Sequence, residues 1–389
     1  MTVRRLQPFS VNIFAKMSAL AASVGAVNLG QGFPDEDGPA AMLEVARQAI
    51  ADGVNQYPPG PGIAELREAV AAQRSRRYGQ QFDPESEVLV TVGASEAIAA
   101  AVLGLVEPGS EVLLLEPYFD TYAPVIAMAG AHRVPVPLVP DGRGFALDVD
   151  AVRAAITPRT RAIVVNSPHN PTGMVLGDDE LRALAEVAVA ADLLVISDEV
   201  YERLAFDGRE HRPVATYPGM ADRTVTISSA AKMFNCTGWK IGWACGAPEL
   251  VAGVRAAKQY LSYVGGAPFQ PAVAYALNNE DVWVDGLRDS LEAKRDRLAD
   301  ALTGLGFEVH DSSGTYFLCA DPRPLGFDDS TAFCEELPHR AGVAAIPMSA
   351  FCGPGGTPEV WKHLVRFAFC KRDETLDEAI RRLGTLVIS

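Results

Sequence analysis

From about Glu87 to Cys245 the chain alternates short, almost unbroken apolar runs with stretches whose apolar residues recur at helical spacing. The runs EVLVTV, EVLLLEP, RAIVVNS, LLVISDE and TVTISS read as strands, and SEAIAAAVLGLV, TYAPVIAMAG and DELRALAEVAVAAD read as the helices between them. Strands that are apolar at successive positions must be covered on both faces, which predicts a largely parallel sheet wrapped by helices. Such sheets place their sites at the carboxyl ends of the strands. Those ends carry Gly93-Ala94-Ser95, Glu116 to Phe119, Asn166 to Gly173, Asp198-Glu199 and Ser228-Ser229.

Beyond the sheet, a helical stretch begins at about Val284 and runs through SLEAKRDRLADALTGLG. Three strand-like pieces follow, FEVHDSSGTYFLCAD, VAAIPMSAF and LVRFAFCK, and then a final helix in TLDEAIRRLGTLV. The expected organisation is α/β, with a large domain over 41–290 and a smaller α+β domain over 1–40 and 291–389. No Gly/Ser linker or internal repeat separates them, so the two are expected to share an interface.

Composition narrows the function. The 389 residues carry 34 Lys plus Arg against 49 Asp plus Glu, a formal charge of −15, which repels nucleic acid and anionic membrane surfaces. The six cysteines form no CxxC pair and have no His partner at zinc spacing, so no metal is expected and the thiols read as reduced. Pro8, Asn12 and Lys16 interrupt the only candidate leader, and no run reaches the roughly 18 apolar residues of a membrane span, which makes a cytoplasmic protein the expectation.

Taken singly, the polar positions at the strand ends have ordinary explanations. Asn170-Pro171-Thr172-Gly173 suits a tight turn, Asp198 a loop carboxylate, Lys232 and Lys240 solvated charges, and Arg366 a structural ion pair within its apolar strand. Together, however, NLGQGFP, NQYPP, TVGASEA, NxPxNPTG, SDEVYE, SxxKxFxxTGWKxGW and VRFxF occur in order from Asn28 to Phe369. This set resembles the class I family of pyridoxal-phosphate aminotransferases and covers nearly the whole chain.

The resemblance implies fold type I, pyridoxal 5′-phosphate as cofactor, and a role for each matched residue. Lys232 would join the cofactor aldehyde and later shuttle a proton as general acid and base. Asp198 would keep the pyridine nitrogen protonated, and Tyr201 and Asn170 would hydrogen-bond the ring's phenolic oxygen. The phosphate would rest on backbone N–H groups of Ala94 and Ser95, with Ser229 and Lys240 adding a hydroxyl and a charge. Many relatives carry Arg where Lys240 stands, and lysine keeps the charge without the bidentate fork. Phe119 would stack on the ring, with Tyr118 and Tyr122 close by. Arg366 would clamp the substrate α-carboxylate, with Gly32 and Asn170 beside it. Tyr57 would reach the phosphate of a neighbouring subunit, implying a homodimer.

Within the family, NLGQGFPD, NQYPP, EPYFDTY and TGWKIGW resemble the branch of glutamine transaminase K, the kynurenine aminotransferases and bacterial N-succinyldiaminopimelate aminotransferases. The implied reaction passes an amino group from N-succinyl-L,L-diaminopimelate to 2-oxoglutarate. The alternative is a broad kynurenine, glutamine or methionine aminotransferase with a cysteine-conjugate β-lyase side activity. A non-enzymatic cofactor-sensing module is disfavoured, because only 27 residues precede Asn28 and the charge is unsuited to DNA.

Overall fold

The computed structural model describes residues 2–10, 13–353 and 358–387. Its centre is a seven-stranded sheet: β1 (Val88–Val92), β2 (Glu111–Glu116), β3 (His132–Pro137), β4 (Thr160–Asn166), β5 (Leu194–Asp198), β6 (Thr224–Ser229) and β7 (Ile241–Cys245). Their spatial order is β1-β7-β6-β5-β4-β2-β3. The pairs β3/β2, β2/β4, β4/β5 and β5/β6 are parallel, whereas β7 is antiparallel to both β1 and β6.

Alternation along β2 shows why its run is apolar throughout. Val112 and Leu114 enter one hydrophobic layer with the helices Gly93–Leu105 and Tyr122–Met128, while Leu113 and Leu115 enter the layer on the opposite face. A third layer covers β1 and β7 with helices Ala40–Ala51, Ala64–Tyr78 and Phe269–Asn279.

Two strands escape the apolar-run reading. β3, sequence HRVPVP, sits at the sheet edge, where prolines are tolerated and half-exposed positions need not be apolar. β7 lies inside the TGWKIGW motif and runs against its neighbours, so Ile241 pairs with Val92 and brings Lys240 beside Gly93, at the strand ends where the site forms.

The C-terminal part builds a four-stranded antiparallel sheet in the order Glu308–Val309, Phe317–Asp321, Val365–Ala368, Ile346–Pro347. The stretch FEVHDSSGTYFLCAD thus supplies two strands joined by a loop. VAAIPMSAF is also divided: Val343–Ala344 pairs in parallel with Val27–Asn28 near the start of the chain, and Ile346–Pro347 joins the four-stranded sheet. The helix Asp281–Gly304 runs without interruption from the side of the large sheet to that of the small one. No helix among the described residues is long and apolar enough to cross a membrane.

Candidate active site

A cavity of about 330 Å³ opens at the carboxyl ends of the parallel strands, between the large sheet and the C-terminal sheet. Every residue given a role at the site lines it, except Tyr57; of the two tyrosines expected near Phe119, Tyr122 lines it and Tyr118 does not, its hydroxyl accepting from Arg133 Nη1 at 3.1 Å instead. Tyr57 is 84% exposed and makes an edge contact with the ring of Tyr263, 5.9 Å between centroids.

Asp198 ends β5 and is buried. Its Oδ2 accepts a hydrogen bond from the Tyr122 hydroxyl at 2.6 Å, and its Oδ1 one from the Val200 N–H at 3.3 Å. Burial pushes its carboxyl up to about 6, with the Tyr122 bond opposing the rise. Asn166, at the end of β4, ties the neighbouring segments: its Nδ2 donates to the Asp198 carbonyl at 2.9 Å and its Oδ1 accepts from the Asn170 N–H at 2.8 Å.

Lys232 lies in the short helix Ala230–Met233 directly after β6. Its Nζ donates to the Gly32 carbonyl at 3.3 Å and stands 5.4 Å and 5.8 Å from the ring centres of Tyr316 and Tyr201. Burial pushes this amine down to about 8, and the positive charges of Arg366 and Lys240 act in the same direction. An amine so tuned can be neutral in a useful fraction near physiological pH, as a nucleophile requires.

Gly32 has a second partner, since Tyr316 Oη donates to its carbonyl at 2.6 Å. A Cβ at Gly32 would stand 2.4 Å from the Phe317 ring, so the glycine is needed for this close approach.

Arg366 comes from the central strand Val365–Ala368 of the small sheet and is almost fully buried. Nη1 donates to Asn170 Oδ1 at 2.8 Å and Nη2 to the Gly30 carbonyl at 2.9 Å, while Nε has no hydrogen-bond partner among the described residues. The rings of Phe317, Phe351 and Phe14 lie 3.8, 4.5 and 5.6 Å from the guanidinium carbon and fix its plane. Burial pushes the group down to about 10, which leaves it charged at neutral pH. A buried guanidinium with no carboxylate hydrogen-bonded to it is suited to an incoming carboxylate.

At the opposite wall Ala94 and Ser95 form the first turn of Gly93–Leu105, and Lys240, in a left-handed conformation with φ of 56°, places its Nζ 3.3 Å from where a Cβ on Gly93 would stand. Ser229 ends β6 at the same wall. A helix start, a hydroxyl and an ammonium make an anion cradle. Phe119 meets Tyr122 edge-on at 5.7 Å and lines the cavity.

Asn166 opens the NxPxNPTG motif without the motif assigning it a role, and no motif points to Tyr316, Phe14, Phe351 or the Tyr122 bond to Asp198. Each acts through a partner distant in sequence, as Tyr122 and Asp198 do, and a lone sequence carries no local signal for that. Asp120, also in the cavity, has a carboxyl raised by burial, with the Arg366 charge opposing the rise.

An α/β sheet that gathers an amine, a buried carboxylate, an anion cradle and a guanidinium with no carboxylate partner among the described residues around one cavity has the parts of a fold type I aminotransferase. Residues 24–383 match the aminotransferase class I and II family, and the chain belongs to that family. It is 73% identical to a probable N-succinyldiaminopimelate aminotransferase of Mycobacterium tuberculosis, over 99% of this chain and 98% of the relative. The solved structure of N-succinyldiaminopimelate aminotransferase from that organism superposes with a TM-score of 0.97, at 73% identity, over 99% of this chain and 100% of the other. The methionine aminotransferase of Escherichia coli is 38% identical over 98% of this chain and 97% of its own.

Proposed function

We propose that this aminotransferase takes its amino group from N-succinyl-L,L-diaminopimelate, passes it to 2-oxoglutarate, and holds pyridoxal 5′-phosphate in the cavity described above. The observation that carries the donor is the 73% identity, along essentially the full length of both chains, to a relative named for that reaction. When bound, the cofactor supplies an aldehyde that can take up an amino group and a ring that can accept electrons.

The donor set fits that group. Lys232 would attach it and hold or release a proton at Nζ, Asp198 would hold the proton of the ring nitrogen, and Tyr201 and Asn170 would bind the phenolic oxygen. Ala94, Ser95, Ser229 and Lys240 would hold the phosphate, and Phe119 would cover the ring. Arg366, whose Nε has no partner among the described residues, would bind the substrate α-carboxylate, and Gly32 would keep Lys232 aimed through its carbonyl. The cations lining the cavity are Lys232, Lys240 and Arg366, each engaged in this scheme, so the distal succinyl carboxylate draws on a group outside this lining.

The same proposal makes the active form a homodimer in which Tyr57 serves the partner's site; its exposure in a single chain and its place outside the cavity support that role. It also divides the chain into 41–290 and 1–40 with 291–389, supported by the two separate sheets. A cytoplasmic location is supported by six free thiols, five of them buried.

Names among the 38% identical relatives, methionine aminotransferase and kynurenine–oxoglutarate transaminase, favour the broader alternative. A donor panel with 2-oxoglutarate as acceptor separates the two. N-succinyl-L,L-diaminopimelate should exceed glutamine, methionine and kynurenine by at least about tenfold in kcat/KM, worth about 1.4 kcal/mol. Equal or better efficiency with kynurenine or glutamine would overturn the donor while leaving the aminotransferase class intact.

A further inference from the structure

Behind Asp198, on the face of the sheet turned away from the cavity, lies a buried ionic cluster that the proposed reaction does not use. Arg74, in the helix Ala64–Tyr78, is fully buried. Its Nη2 donates to Glu199 Oε2 at 2.8 Å and its Nη1 to Glu202 Oε2 at 2.9 Å. His211 Nε2 stands 3.0 Å from the same Glu199 oxygen, and Ser197 Oγ donates to Glu199 Oε1 at 2.9 Å. Ser228 Oγ donates to Glu202 Oε1 at 2.7 Å. Burying such a cluster is a poor route to stability, because well-packed apolar side chains of similar volume often do as well or better. Its placement is more informative. Both carboxylates come from the turn that directly follows Asp198, and Ser228 directly precedes Ser229.

We infer that Arg74 is a positioning residue for the cofactor end of the site, acting through Glu199 to keep the Asp198 carboxylate ionised. The inference rests on the reading of this cavity as a pyridoxal-phosphate site.

The argument is one of charge and place. Strand alternation sends Asp198 to the cavity and Ser197 away from it, and Glu199, just past the end of β5, is hydrogen-bonded to Ser197 and lies outside the cavity lining. A second buried carboxylate one residue away opposes ionisation of Asp198 through a medium of low dielectric, and Arg74 offsets that opposition. On the cavity side Asp198 faces Tyr122, Tyr201 and Lys232. On the cluster side the charged and titratable groups are Arg74 and Tyr78 from the helix, Glu202 and His211 from the loop, and Cys245 from β7. Glu199 itself is held down at about 2: burial would raise it, but Arg74 and His211 outweigh that. The charge behind Asp198 is therefore permanent, and so is the need to balance it. Asp198, already lifted to about 6 by burial, has little margin before it would be protonated at neutral pH.

The test is the affinity of the full-length, cofactor-free chain for pyridoxal 5′-phosphate, measured by absorbance titration from pH 5.5 to 9. Glu199→Gln keeps the local geometry, since its amide oxygen can accept from Arg74 and His211 while its NH2 faces the Ser197 hydroxyl. It should move the acid-side midpoint of affinity down by at least about half a pH unit. Arg74→Met should move the midpoint up, weakening binding about tenfold at pH 7 with recovery by pH 9. Combining Arg74→Met with Glu199→Gln restores the wild-type charge sum and should return the midpoint. Arg74→Lys, which keeps the charge, should leave it in place. Should Arg74→Met fail to fold, Glu199→Gln and Arg74→Lys decide the matter. A midpoint unmoved by Glu199→Gln, or an affinity loss in Arg74→Met that is equal at every pH, would overturn the inference alone. Absence of binding by the wild type would overturn the cofactor reading and this inference with it.

Discussion

Replacing Asp198 with Asn should stabilise the cofactor-free protein at pH 8 while removing its activity. In the folded chain burial lifts the Asp198 carboxyl from an ordinary 3.8 to about 6, a difference that costs roughly 3 kcal/mol wherever the group is ionised in both states. The sign follows from proton counts. Between those two values the native state holds a proton that the unfolded state has lost, so this contribution to stability is intact below pH 4 and falls away as pH rises through 6. Asn carries no charge to desolvate and can still accept the Tyr122 hydroxyl bond. It loses the acceptor for the Val200 N–H, at 3.3 Å, which costs about 1 kcal/mol. The net gain is therefore about 2 kcal/mol at pH 8, vanishing and then reversing as pH is lowered toward 4. Urea unfolding of both apoproteins at pH 4, 6 and 8 measures it. With saturating cofactor the order should invert, because the wild type gains linkage energy that the variant lacks, about 2.7 kcal/mol at one hundred times Kd. Turnover in the variant should fall by about two or more orders of magnitude, since the ring nitrogen loses its anionic partner. An Asn variant less stable than wild type at pH 8, or a stability difference independent of pH, would refute the reasoning.

Tyr122→Phe should raise the Asp198 carboxyl further, because the 2.6 Å bond to Oδ2 is lost, and weaken cofactor retention about tenfold at pH 7 with partial recovery at pH 8.5, read by equilibrium dialysis. Arg366→Lys keeps a charge but loses the two-pronged contact, so KM for the amino donor should rise at least about tenfold with a smaller change in kcat, measured by steady-state kinetics. Tyr57→Phe mixed with Lys232→Ala should yield heterodimers in which both lesions meet in one site and the other is intact. Recovery of wild-type cofactor affinity in that intact site supports the shared-site dimer, whereas damage in every site would refute it.

The sheet was legible because strands covered on both faces leave unbroken apolar runs, and the candidate site because Lys232, Asp198 and Asn170 sit in spaced motifs at or just past the ends of those runs and Arg366 in a motif within a strand of the small sheet. β3 was not, since an edge strand can carry Pro135 and Pro137 and only half-bury the rest. The pairing of Val27–Asn28 with Val343–Ala344 joins segments more than 300 residues apart, with two residues in each strand, too short to leave a periodic signal. The same distance hid the side chains that tune the site. Arg74 lies 125 residues from Glu199, and within its helix it reads as one more polar position. Phe14 and Phe351 reach Arg366 from opposite ends of the chain. What the motifs carry is the groups proposed to touch the reaction; the surroundings that set their charge states come from packing.

Borohydride reduction of the purified protein incubated with pyridoxal 5′-phosphate, followed by digestion and peptide mapping, tests the central claim most directly. Lys232 has a half-buried, partly neutral amine in the cavity where the anion cradle, Asp198 and Arg366 converge, so the label should fall on Lys232, in stoichiometric yield, and be absent from Lys232→Ala. A label on Lys240, or spread over surface lysines with Lys232 unmodified, would contradict the account.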